Sequence, residues 1–341
     1  MQPPLQDLRG WSPFSIDALG LITLLGSEAL DTVLGQMICT PVTQYLPLLG
    51  GHIIASNSII SPRIGFALHN INDGIKATDL AGWFARWLSC EGAQFSGTTL
   101  HIRREKRSAS PAKRLIGMAS GTLGLLPLVL GTLIVDWWAV VNGLVMIASV
   151  LVRLVVMNQN HRALDLSARG ADSTSSETVR SFVTLPDGKA VTVITTRGIV
   201  LECLLTDPRP PHPRLYQAAR IAGWTAFGTH VVVLGMSPLI CQLPTVVMMI
   251  AATVATVYEV GADRYQISHE IRISRDDAEE RFRAAAYARL QLSEKEEISM
   301  VNWHLFPQKT NTMWWQRYRD YMSKCRHTGI GHLVEIGEPS G

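Results

Sequence analysis

Three groups of side chains in this sequence have residue types suited to chemistry. His69, Asn70, Asn72 and Asp73 place an imidazole and a carboxylate within a few positions, a pairing that can relay a proton. Asn72-Asp73-Gly74 also reads as an ordinary turn, and the turn is the expected role. Asp276, Asp277, Glu279 and Glu280 crowd carboxylates that could hold a divalent cation. Their expected role is simpler: Ser274 caps a helix with Asp277 as its capping-box partner, and the acids favour the positive end of the helix dipole. His230 and Asn142 are polar residues inside long uncharged stretches. An intramembrane imidazole is a candidate for proton or solute movement, but with no acidic intramembrane partner its expected role is a hydrogen bond that holds helices together.

No Gly-x-Ser-x-Gly, P-loop, His-Glu-x-x-His or dinucleotide fingerprint occurs. The cysteines (Cys39, Cys90, Cys203, Cys241 and Cys325) are odd in number, scattered and never in a Cys-x-x-Cys pair. Neither a disulfide framework nor a zinc site is expected. The sequence therefore assigns no catalytic residue, no cofactor and no metal ligand. Its site candidates are His230 and Asn142.

The elements that would position them are apolar helices. Apolar residues form 47% of the chain and charged residues 17%, below the roughly 25% charged typical of soluble proteins. The deficit lies in two blocks. Leu115 to Val135 is uncharged, Asp136-Trp137-Trp138 interrupts, and Ala139 to Val152 is uncharged again, the block closing at Met157. Ile221 to Tyr258 has no Asp, Glu, Lys or Arg and is interrupted by Pro238, Gln242 and Pro244. About 20 helical residues cross a bilayer core of about 30 Å, so each block is long enough to cross and return. The first turn is expected at Asp136, with its tryptophans at headgroup level. The third crossing is expected to end near Ile240 and the fourth to run from Leu243 to Val260, Trp224 and Tyr258 lying at the same face of the bilayer. The expectation is a mainly α membrane protein with two transmembrane helical hairpins (four helices) and a small cytosolic α+β part.

Basic residues set the orientation. Arg103, Arg104, Lys106, Arg107, Lys113 and Arg114 precede the first block, and Arg153, Arg162 and Arg169 close or follow it. Arg209, Arg214 and Arg220 precede the second, and Arg264, Arg272 and Arg275 follow it. Neither turn carries Lys or Arg. The positive-inside bias puts every polar segment, including the C-terminus, on the cytosolic side. The absence of an Asn-x-Ser/Thr acceptor agrees, and Met1-Gln2-Pro3-Pro4 is a poor secretory signal.

The remaining segments divide as follows. Residues 1–74 are an apolar N-terminal region expected at the membrane. Residues 14–40 are amphipathic, with Asp17, Glu28 and Asp31 on one face, and 42–68 are broken by Pro47, Gly50, Gly51 and Pro62. Together 14–68 read as a re-entrant or interfacial layer, or a further hairpin. Residues 75–114 hold an amphipathic helix over 75–89 and a basic juxtamembrane segment. Leu80, Trp83, Phe84, Trp87 and Leu88 share one face, suited to protein packing or to the membrane surface. Residues 115–157 and 219–260 are the hairpins. Residues 158–218 combine a flexible linker (167–181) with three strands: 181–185, 190–195 and 199–205, the first two joined at Pro186-Asp187-Gly188. Residues 261–341 hold a strand at 265–273, then helices over 276–290, 294–305 (capped by Ser293 and Glu296) and 313–324.

The stretch from Leu185-Pro-Asp-Gly-Lys through Arg197-Gly-Ile-Val-Leu-Glu-Cys-Leu-Leu-Thr to Pro208-Arg-Pro-Pro-His-Pro-Arg-Leu-Tyr216, with Tyr287-Ala-Arg-Leu290 and Trp303-His-Leu-Phe-Pro307, resembles uncharacterised multi-pass membrane proteins of filamentous fungi. The resemblance implies membrane residence and no activity.

Three roles follow as expectations. The first is an interaction or scaffolding protein with cytosolic modules, its partners being the lipid bilayer and a protein or second copy of the chain. The second is a small transporter or channel using His230. The third is a membrane-bound enzyme acting at the cytosolic face. Nucleic acid is not an expected partner. Small-residue pairs (Gly117 and Gly121, Ala222 and Ala226, Ala251 and Ala255) would allow close helix packing within the chain or dimerisation.

Overall fold

The computed structural model describes residues 27–91, 97–106, 111–278 and 283–327. Asp17, Arg107, Glu279 and Glu280 lie outside them. Three of the described helical segments are long and apolar enough to cross a membrane: Leu115–Ile134, Trp137–Thr174 and Leu239–Val257. The chain is mostly helical, with a small sheet, and these segments point to a membrane location.

Helices α1 (Ser27–Gly35) and α2 (Gly51–Ser56) precede the first apolar block. Helix α3 is Gly82–Glu91. The block opens with α4 (Pro111–Gly121), which passes through one 3-10 turn into α5 (Leu126–Ile134). Val135 adopts a left-handed conformation, and Asp136 caps α6 (Trp137–Thr174) by accepting from the Ala139 N–H at 2.9 Å. α6 has 38 residues, a length of roughly 57 Å at 1.5 Å per residue. About 20 residues suffice for the bilayer, so its second half continues as part of the sheet domain.

Helix α7 (Pro213–Met236) packs along α6. Trp224, Thr225, Thr229 and His230 dilute its apolarity, and it falls outside the three most apolar segments. The chain reverses at Ser237–Pro238, because the residue before a proline is driven to extended backbone. α8 (Leu239–Val257) follows, with Pro244 near its start. The break falls nearer the N-terminus than the expected boundary at Ile240. Ile134 and Ala139 of the first turn pack against Cys241 beside the second, so both turns occupy one end of the bundle.

Six strands form one mixed sheet in the order β2-β1-β4-β5-β3-β6. They are β1 (Ala67–Asn70), β2 (Ile75–Ala77), β3 (Gly97–Arg104), β4 (Thr178–Thr184), β5 (Ala190–Thr196) and β6 (Ile271–Ala278). β3 runs parallel to β5, with Leu100 opposite Val193, and the other pairs are antiparallel. One sheet face (Leu68, Leu100, Val183, Val191, Val193 and Ile273) packs against α3 and against Leu164, Ala168 and Ala171 of α6. The opposite face (Phe182 and Ala190) packs against α9 (Arg283–Arg289), α10 (Glu294–Asn302) and α11 (Thr312–His327). Alternation along each strand builds this three-layer arrangement.

Several expectations are corrected. Residues 167–181 are no flexible linker: α6 continues to Thr174, held by Leu164, Ala168 and Ala171 in the core, and β4 starts at Thr178. Residues 199–205 are helical rather than a strand, because Thr196 accepts from the Ile199 N–H and starts a tight turn there. Ser274 caps no helix. Residues 271–278 pair along β3, with the buried Ile271 and Ile273 alternating with the exposed Arg272 and Ser274, and α9 begins at Arg283. The helix expected over 75–89 starts at Gly82, since 75–77 is a strand. Its Trp83, Phe84, Trp87 and Leu88 are core residues, so protein packing prevails over the membrane surface. Arg103 and Arg104, read as a juxtamembrane run, belong to β3. Within 42–68 no described helix reaches spanning length, α2 being the longest.

Candidate functional site

Residues 40–60 enter the apolar bundle without crossing it. Leu49 N–H donates to Thr253 Oγ1 of α8 at 3.2 Å, and the buried Arg153 of α6 donates to the carbonyl oxygens of Thr43 and Leu46 at 2.9 and 3.2 Å. Gly117 and Gly121 of α4 face the same loop. A methyl group at Gly117 would sit 2.1 Å from the Pro41 carbonyl oxygen, so this small-residue pair packs within the chain. Ala222 and Ala251, from the other two pairs, are exposed on the helix surface.

Where α6 leaves the apolar zone its sequence turns polar at helical spacing: Asn158, His161, Arg162, Asp165 and Arg169. Leu164, Ala168 and Ala171 hold the neighbouring face to the core, so this stripe is fixed along one wall of a chamber of about 840 Å³. The loop at 39–45, Lys106, Met118 of α4 and the His269-Glu270 turn before β6 complete the lining.

The chamber's charges are tightly organised. Glu270 is nearly fully buried and accepts from Arg104 Nε and Arg169 Nε, each at 2.9 Å. Arg169, then Arg104, holds its carboxyl below the usual carboxylate range against the opposing effect of burial. Asp165 accepts the Glu270 N–H at 3.1 Å and so fixes the turn. His161 Nε2 lies 2.9 Å from the Met37 carbonyl oxygen, a pairing that requires the proton on that nitrogen. The His269 ring stands edge-on to it, 5.9 Å away. Among the described residues no carboxylate lies within salt-bridge distance of Arg162 or Lys106. The chamber therefore presents two uncommitted cations and can hold an anion.

Tyr45, Met118 and Leu154 also line a second space, an apolar groove of about 330 Å³ between α6 on one side and α4 with the 3-10 turn after it on the other. Its remaining walls include Gly124, Met146 and Val150. The polar chamber and the apolar groove are thus neighbours that share these three wall residues at the boundary of the apolar zone.

The residues singled out by sequence lie elsewhere. His230 is buried with no partner for either ring nitrogen, beside a cavity of about 30 Å³ lined by Leu48, Ser149 and Met249. That is room for about one water. Asn142 Nδ2 lies 3.4 Å from Thr245 Oγ1 and bridges α6 to α8. The two share neither a cavity nor a hydrogen bond. Asn70 Nδ2 donates to Asp73 at 2.7 Å, and Asp73 pairs with Arg197 Nε at 3.0 Å, closing the β1–β2 turn. His69 packs on Trp303 with ring centroids 5.0 Å apart. Asp276 and Asp277 sit on β6, where Asp277 accepts from Thr98 Oγ1 at 2.9 Å and from Arg275 Nε at 2.7 Å. No group of three metal-ligating side chains is gathered among the described residues.

The chamber had a legible signal that basic-residue counting obscured. Asn158, His161, Arg162, Asp165 and Arg169 recur at helical spacing directly after an apolar run. No family model, curated protein or solved structure matches the chain.

Proposed function

We propose that the chain is a four-crossing membrane protein, α7 supplying the crossing beyond the three most apolar segments, with its sheet domain and C-terminal helices in the cytosol. Its role there is binding and interaction: the chamber at the bilayer boundary takes an anionic ligand. The shared end of the two hairpin turns supports the topology, because every other helix end then faces the sheet domain. Lys and Arg occur at the sheet-domain end of the spans and not in the turns, which supports the orientation. The observation that carries the binding role is the pair of cations, Arg162 and Lys106, left over once Glu270 has engaged Arg104 and Arg169. A protein partner docking on the sheet domain fits the same architecture.

The test uses the full chain in detergent with inorganic pyrophosphate at constant ionic strength. A ligand that binds the native state raises its unfolding midpoint. The midpoint of the wild type is expected to rise with pyrophosphate, and that of the Arg162→Ala/Lys106→Ala variant to stay flat. A flat response in the wild type, or an equal rise in both, removes the reading.

A further inference from the structure

We infer that the chamber's ligand is an anionic membrane lipid of the sheet-domain leaflet, its phosphate against Arg162 and Lys106 and an acyl chain in the groove between α6 and α4 with its following 3-10 turn. The inference rests on the anion-binding reading above and adds the chain. Three observations carry it. The two spaces are adjacent and share Tyr45, Met118 and Leu154 as wall residues, which puts a headgroup in one next to an acyl chain in the other. The polarity divides as an amphiphile requires: the polar stripe begins at Asn158 and its charges at Arg162, while Leu154, Val150 and Met146 line the groove on the apolar half of the same helix. From Leu154 to Met146 the groove follows α6 for roughly 12 Å at 1.5 Å per residue, parallel to the spans.

The groove is also unfilled by the chain itself. A side-chain carbon placed at Gly124 would meet no atom within 4 Å, although Gly124 is a wall residue. A soluble anion would use only the chamber. The apolar walls from α4, the 3-10 turn after it and α6 favour a molecule with its own chain. The basic pocket at the end of the spans matches the way phosphate headgroups are held at a membrane surface.

The experiment mixes purified protein with equal amounts of phosphatidate and phosphatidylcholine, then counts retained lipid by native mass spectrometry. The wild type is expected to retain one phosphatidate about tenfold over phosphatidylcholine. Arg162→Ala/Lys106→Ala is expected to lose that preference. Gly124→Leu, which fills the groove, is expected to lose the lipid while keeping the pyrophosphate-induced rise in unfolding midpoint. Val150→Trp blocks the same groove from α6 and is expected to behave alike, so misfolding of one variant leaves the other to decide. Phosphatidate retained equally by both groove variants, or retained by the wild type without preference, overturns the inference. A pyrophosphate response with no retained lipid overturns it too and leaves the anion reading standing. No response to either ligand removes both.

Discussion

The guanidinium of Arg153, in the apolar half of α6, donates to the Thr43 carbonyl oxygen at 2.9 Å. A charge at this depth is costly unless its donors are engaged. Here it ties the loop at 40–46 to α6, adding a second donor to the Thr43 carbonyl, which already accepts the Leu46 N–H at 3.1 Å, and engaging the Leu46 carbonyl. Hydrogen bonds to charged groups contribute about 1.5–3 kcal/mol. Arg153→Met is expected to lower stability in detergent by about that amount, with Arg153→Lys in between. Denaturant unfolding followed by tryptophan fluorescence checks the order, and an unchanged Arg153→Met would sever the loop from α6.

Trp83 distinguishes a core helix from a membrane-surface helix. Its side chain is 1% exposed, and its Nε1 donates to the Cys203 carbonyl oxygen at 3.0 Å. Removing a buried tryptophan costs about 3–5 kcal/mol. Trp83→Ala is expected to destabilise the sheet domain by that amount while leaving partition into membranes intact. Fractionation combined with limited proteolysis reads both; loss of membrane attachment with a protease-resistant domain would contradict the assignment.

His69 gives the sheet domain a pH dependence. Burial, and secondarily Lys76, lowers its pKa from 6.5 to about 4. The unfolded chain binds the proton first, so stability is full above pH 6.5 and falls progressively down to about pH 4. Comparing unfolding midpoints of wild type and His69→Gln across this window checks the sign. The wild type is expected to lose more stability on acidification, and parallel curves would refute the assignment.

Gly143 sets the closeness of the first hairpin. A methyl group there would lie 2.8 Å from the Leu128 backbone nitrogen. Overpacking of this kind typically costs about 1–3 kcal/mol. Gly143→Ala is expected to lose about this much, whereas Gly228→Ala, where a methyl group meets no atom within 4 Å, is expected to be neutral. Matched unfolding curves of the two variants provide the comparison.

The sequence announced elements whose cause is local. Asp136 and Pro238 mark reversals by capping and by a missing N–H, Pro186-Asp187-Gly188 joins two strands, and Ser293 with Glu296 starts α10. What stayed hidden depends on distant partners. β3 sits parallel to β5 and beside β6, so Arg103 and Arg104 read as a membrane flank until those neighbours are known. Ser274 to Asp277 carries a helix-start pattern, yet pairing with Gly97 to Arg104 prevails. The chamber is hidden for the same reason, since α6 supplies one wall and Lys106, His269 and the loop at 39–45 supply the others.

The architecture is tested most directly by placing cysteines at Trp137 in the first turn and at Lys309 beyond α10. Trp137→Cys and Lys309→Cys are labelled with a membrane-impermeant maleimide in sealed vesicles of both orientations, the sites being located by peptide mass spectrometry. The account predicts labelling from opposite sides, with Lys309→Cys reached from the cytosolic face. Labelling of both from one side would mean that the first apolar block does not carry the chain across as drawn.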